Sequence, residues 1–205
     1  MEGNYQKIVQ ENLGRLFSRS SPALVKTLPA VRDQGAVIFQ AFGRECRIQP
    51  DGILLGNEPQ NDVLGILISL YALNATTDSC RPEPLKAFKD FPNSMPYWAA
   101  FAARAEQILV PHVQKINTAK EKVFETLNGK DASDTAGCDF SFLVYPLPKI
   151  ALCYIFYEAD EDFSASATCL FSSNANQFMP IDGLADVAEY TSKAILDIIG
   201  SAEFS

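Results

Sequence analysis

The chain has 205 residues, 47% of them hydrophobic and 20% charged, with 17 basic against 25 acidic side chains. That length and apolar content predict one globular domain with an ample core and exclude wholesale disorder. A net charge of −8 without any run of Lys or Arg argues against a nucleic-acid or membrane-surface partner, since both need clustered positive charge.

The first residues, Met1–Ile8, are polar and lack the apolar core of a secretion signal, which predicts a cytoplasmic location. Asn4–Phe17 places Tyr5, Ile8, Val9, Leu13, Leu16 and Phe17 on one side of a helix. Ser20–Pro22 is a helix start with Pro in the first turn, so residues 4–30 read as a helical entry that Gly35 ends. Strands follow over Ala36–Phe42 and Arg44–Gln49 around Gly43, and a brief one over Ile53–Leu55 after the turn Pro50–Gly52.

Asn61 or Asp62 can cap the next helix, which is apolar on nearly every side and should be buried. Its apolar run, Val63–Leu73, is about half the length of a membrane span. Hairpin and buried helix together occupy residues 36–74. Pro82, Pro84 and Pro92 then interrupt a loop that Leu85, Phe88 and Phe91 anchor to the core.

Residues 95–128 read as a helical middle, broken or kinked at Pro111 and stopped at Asn128-Gly129. Lys130–Gly137 is a polar loop. The C-terminal meander and helix span 138–199: an edge-like strand over Asp139–Tyr145, a turn at Pro146–Pro148, and a strand over Lys149–Tyr157 apolar on both faces. After an acidic tip, Ala165–Phe171 returns antiparallel, and Asp182 caps a last helix that Gly200 ends. The sum is an α+β fold in which an antiparallel sheet, from the N-terminal hairpin plus the C-terminal meander, packs with several helices.

The acidic tip Glu158–Asp162 is the densest group of carboxylates. Neighbouring carboxylates can act as acid and base or hold a hard cation, yet the oxygen-ligand pattern and Gly of a Ca²⁺ loop are missing. Asp160, Glu161 and Asp162 therefore stand between three readings: a solvated hairpin tip, an ion pair with a cation such as Arg104, or a functional site. His112 is the sole histidine and reads as a helix-end residue more than a general base. Asn174 and Asn176 lie between a strand and the last helix, where they serve Asx turns or present amides to an anion. Tyr97 and Trp98 belong to an aromatic concentration with Phe88, Phe91 and Phe101 that reads as core, and any pocket is expected there.

The five cysteines (Cys46, Cys80, Cys138, Cys153 and Cys169) form no C-x-x-C pair, which predicts reduced core thiols over a zinc or iron–sulfur site. Neither glycine-loop signature for phosphates occurs. No metal ligand set, cofactor or oligomeric state is specified.

Several short motifs resemble one family: Phe42-Gly43, Phe88–Phe91, the run Tyr97–Glu106, Pro146–Pro148, Asp160–Phe163, Leu170-Phe171 and the helix start Asp182–Leu184. From about Ala36 to Ile199 the chain resembles the domain of unknown function 3786 family, uncharacterised proteins mainly of anaerobic bacteria and archaea. The family's usual proline after the tip phenylalanine and aspartate after Leu-Phe are Ser164 and Ser172 here, which weakens any need for a full carboxylate cluster. The cysteine-rich motif of relatives with an iron–sulfur domain is missing too. The resemblance implies a shared fold and an anaerobic setting, without catalytic residues to carry over. It favours a non-catalytic accessory protein that binds a protein partner or small ligand, in redox or corrinoid metabolism. The alternative is a metal-assisted enzyme using the acidic hairpin 158–162 with Arg104 or His112.

Overall fold

The computed structural model describes residues 2–18, 24, 26–132 and 137–201. Its architecture is α+β, with two five-stranded antiparallel sheets and helices packed on and between them. The expected hairpin and meander thus sit in separate sheets.

Helix α1 (Glu2–Phe17) buries Val9, Leu13 and Leu16 on one face. The helix start expected at Ser20–Pro22 lies outside the described residues; of the turn after it, Lys26 and Thr27 are helical. Sheet A is a simple meander of β1 (Val31–Asp33), β2 (Ala36–Ala41), β3 (Arg44–Gln49), β4 (Gly52–Leu55) and β5 (Glu58–Pro59). Gly35 ends no helix; it forms the β1–β2 turn, where Asp33 pairs with Ala36. Ala41 pairs with Arg44, so β2 and β3 are joined by two residues, Phe42 and Gly43, with φ of 49° and 76°. Positive φ at both turn positions matches the natural twist of a hairpin.

Helix α2 (Val63–Asn74) is capped by Asp62, whose carboxylate accepts from the Gly65 N–H at 3.3 Å. It packs on α1, and Asn12 of α1 donates to the Ser69 hydroxyl of α2 at 3.0 Å. The middle of the chain is less regular than its periodicity predicts. A 3₁₀ turn at Met95–Tyr97 leads into α3 (Trp98–Phe101), which widens into a π-helix over Ala102–Gln107. Pro111 lies in a further 3₁₀ turn before α4 (Val113–Thr118) and α5 (Lys120–Leu127). Asn128 takes the left-handed conformation that stops α5.

Sheet B has the order β6 (Lys86–Ala87), β10 (Ser166–Phe171), β9 (Ile150–Tyr157), β8 (Phe140–Leu147), β7 (Lys130–Asp131). As its two apolar faces require, β9 is central. The strand expected at an edge is not at one: β7 pairs with Phe142 and Leu143, and β8 is buried along nearly its whole length. Pro146 does not turn the chain either. A bulge between Val144 and Leu147 accommodates it within β8, and the turn is Pro148-Lys149. The Lys149 ammonium donates to the Thr76 carbonyl and lies 5.6 Å from the Phe178 ring centre, fastening this turn below α2.

Helix α6 (Ile181–Ser201) starts one residue before its expected cap. Its first turn is set by Leu184 N–H donating to Pro180 O at 2.9 Å, and the Asp182 carboxylate accepts from Gly183 N–H at 2.9 Å. Leu184, Val187, Ala188, Thr191, Ile195 and Ile198 form the buried stripe expected of it. One core runs through both sheets, joining Phe39 and Ile48 of sheet A to Phe142, Tyr154 and Phe171 of sheet B through α2 and α6. The Phe42 N–H also donates to Pro146 O of β8 at 2.7 Å. Among the described residues, no helix is long and apolar enough to cross a membrane.

Candidate functional site

The acidic tip is a hairpin loop in which one oxygen of the Asp160 carboxylate is engaged by the loop backbone. Asp160 Oδ1 accepts from the Asp162 and Phe163 N–H groups at 2.9 and 2.7 Å, and Asp160 N–H donates to Phe163 O at 3.0 Å. Glu158 accepts from the Asn117 amide at 2.9 Å, while its N–H donates to Asp139 at 2.6 Å. Glu161, Asp162 and Phe163 project into solvent.

Arg104 does not reach this tip. It lies on the π-helix and pairs with Glu189 of α6 at 3.4 Å, and Lys193 holds the same carboxylate at 2.6 Å. The nearby carboxylates Asp182, Asp186 and Glu189 repeat along one face of the amphipathic α6, which brings them to Arg104. Tyr97 and Arg104 share a shallow cleft with Asp182, Asp186 and Glu189. Burial pushes the Asp186 carboxyl above the usual carboxylate range, and Glu189 and Asp182 add to the effect against the pull of Arg104 and Lys193. Trp98 packs at 5.7 Å on Phe101, which stacks on Phe88 at 4.5 Å; of the aromatic concentration Phe88, Phe91 and Phe101 are core as expected, whereas Trp98 is half-buried and Tyr97 is exposed. His112 stands apart, half-buried beside Lys115, Leu196 and Ile199.

Asn174 is buried, and its amide joins two loops. Its oxygen accepts from Arg81 N–H at 2.9 Å and its NH₂ donates to Ser79 O at 2.9 Å. Those groups leave nothing for an anion, and the following helical turn (Ala175–Gln177) is too short to supply a dipole. Asn176 is exposed. Of the expected site residues the structure brings Tyr97 and Arg104 into one cleft, while the acidic tip, His112, Asn174 and Asn176 lie apart from it.

What Asn174 builds instead is a strap, residues 79–85, laid across the face of sheet B turned away from the core. Backbone alternation puts Leu143, Ala151 and Cys153 on that face, where they are buried with Cys80, Leu85, Tyr145, Ile155 and Leu170 against them. Ser173 N–H donates to Arg81 O at 2.9 Å, and the Cys80 thiol lies against Ser172 and Ala151. Between strap and β7 lies a pocket of about 250 Å³, lined by Pro82, Leu85 and Ala132 and by the exposed Glu83, Lys130 and Asp131, with the buried Leu143 and Cys153 beneath. Charged and apolar groups share its wall, so a small ligand there would meet both kinds of contact. Sequence reasoning missed it; the two apolar faces of β9 were the available signal, because one of them had to be covered by something other than the core.

The thiols here are not activated. Burial pushes Cys153 up to about 11, with Cys138 adding to it, and Cys46 up to about 12, with Glu45 adding to it. None of the five cysteines takes part in a disulfide among the described residues. Among the described residues, no group of three or more His, Cys, Asp or Glu side chains is placed to hold a metal ion.

A second feature escaped the sequence reading. Glu106, on the π-helix, is buried, and its carboxylate accepts from Cys169 N–H of β10 at 2.9 Å. Burial raises its proton affinity, against the Cys169 hydrogen bond. Beside it, Tyr154 OH meets the Ser192 hydroxyl at 3.0 Å, and Ser192 donates to Ala105 O at 2.7 Å. These bonds join the π-helix, sheet B and α6. The signal was a Glu between Ala105 and the apolar Ile108-Leu109 pair.

No curated protein matches the chain, and neither does any solved structure. The family model described as domain of unknown function (DUF3786) matches residues 20–194, most of the chain, and the protein belongs to that family.

Proposed function

We propose that the chain is a non-catalytic accessory protein of anaerobic metabolism that works in the cytoplasm by binding a small ligand or a partner. The observation that carries this reading is the pocket on sheet B between the strap and β7, lined by Pro82, Leu85 and Ala132 together with Glu83, Lys130 and Asp131. Asn174 and Ser173 hold the strap in place without a ligand, so binding need not supply the ordering. The protonated state of Cys153 fits a packing surface better than a nucleophile or a thiolate ligand. Asp160, central to the metal-assisted alternative, is already engaged by two backbone N–H groups. The anaerobic setting is what the family resemblance implies.

Native mass spectrometry of protein purified without oxygen from an anaerobic host tests the proposal. The wild type is expected to carry a small molecule that is released on denaturation and restores thermal stability when added back. Ala132→Trp, which fills the pocket from its β7 side, should carry none. A bare wild type whose melting is unaffected by extracts of that host defeats the reading.

A further inference from the structure

The β9–β10 hairpin offers a second surface, remote in character from the sheet B pocket. Phe163 is 74% exposed and Tyr157 41%, and both line a shallow depression of about 330 Å³ with Asp139, Glu158, Asp160 and Ser164. Phe163 is the most exposed large hydrophobic side chain among the described residues, and an exposed apolar patch with a polar border is the mark of an interaction surface. The loop has hydrogen bonds of its own: the Asp162 and Phe163 N–H groups donate to the Asp160 carboxylate, Asp160 N–H donates to Phe163 O, and the Asn117 amide donates to the Glu158 carboxylate, so the backbone leading into Phe163 is held.

The surroundings specify the chemistry of what would cover it. Asp139, Glu158 and Asp160 line the depression with the two rings, the exposed Glu161 and Asp162 directly precede Phe163, and among the described residues no Lys or Arg forms an ion pair with any of them. With a net charge of −8 on the whole chain, a second copy, an anionic lipid surface and a nucleic acid are all repelled. A cationic side chain gains from both parts of the surface, by pairing with carboxylates and by stacking on aromatic faces.

We infer that the tip of the β9–β10 hairpin is a docking surface for a basic segment of a partner protein, with Phe163 as its apolar anchor. Such a contact is small, fast-forming and salt-sensitive. It does not depend on the sheet B pocket.

The full chain, titrated with a fluorescent peptide of about a dozen alternating Arg and Leu residues, tests it. Saturable binding is expected, weakened about tenfold by raising NaCl from about 50 to about 500 mM. Phe163→Ser, and separately the pair Glu161→Gln and Asp162→Asn, should each weaken it about tenfold. All these side chains are exposed, so melting should stay at the wild-type temperature. Ala132→Trp should bind the peptide normally, which separates this surface from the pocket. Absence of saturable binding overturns the inference. So does a Phe163→Ser protein that binds as well as wild type, since charge alone would then explain the contact, or a Phe163-dependent dimer in place of peptide binding.

Discussion

Glu106 shows how one side chain couples the fold to pH. Its carboxyl is buried among the π-helix, β10 and α6 and receives one hydrogen bond, from Cys169 N–H. Burial raises its proton affinity, so between the ordinary carboxylate value and the raised native value the folded state binds more protons than the unfolded chain. Stability from this group is present in acid and lost as pH rises through that window; above it, the penalty is constant. Glu106→Gln keeps an oxygen for Cys169 and removes the titration. In urea unfolding the variant should gain on wild type as pH is raised from about 4 to 7. Glu106→Ala leaves the buried Cys169 N–H without its acceptor and should cost about 1–3 kcal/mol at either pH. A Gln variant that tracks wild type at every pH would show that Glu106 ionises freely in the folded state. None of this was legible in the sequence beyond an acidic residue on an apolar helix face, because its partner is 63 residues away.

At the level of elements, the long amphipathic or uniformly apolar segments declared themselves. Helix α6 carries a period and the β2–β3 hairpin a turn signal, while α2 and β9 stand out as unbroken apolar runs between polar segments. The two-residue strands β5, β6 and β7 have no period to read and exist because a neighbouring strand offers them hydrogen bonds. Pro146 misled for a related reason, since a bulge rescues a proline only when the whole sheet is present. The strap belongs to this illegible class. Its hold on sheet B is the Asn174 amide and the Ser173 backbone, more than 90 residues along the chain from Arg81. Asn174→Ala removes acceptor and donor together and should cost about 1–3 kcal/mol. Hydrogen exchange should speed up selectively at Ser79–Glu83, with β8 and β9 still protected; uniform exchange at the wild-type rate along the strap would mean other contacts secure it.

For the whole molecule, the question is whether the two sheets melt together. A single apolar core crosses between them, and the β2–β3 turn touches the other half directly: Phe42 N–H bonds to Pro146 O of β8, and Gly43 lies against α5. A Cβ at Gly43 would collide with the Thr126 carbonyl, and the position has a φ of 76°. Gly35 has a similar φ of 88° and open space around it. Each Gly→Ala change therefore carries a conformational cost of about 1–2 kcal/mol, while only Gly43→Ala also forces sheet A away from α5. The sequence showed Gly43 as a turn residue; it could not show Thr126 above it. Scanning calorimetry is expected to give one transition for wild type and both variants, with calorimetric and van't Hoff enthalpies equal. Gly43→Ala should lie well below Gly35→Ala in midpoint. Two resolved transitions, with Gly43→Ala lowering just one, would mean that the sheets unfold separately and that the core between them is too weak to enforce cooperation.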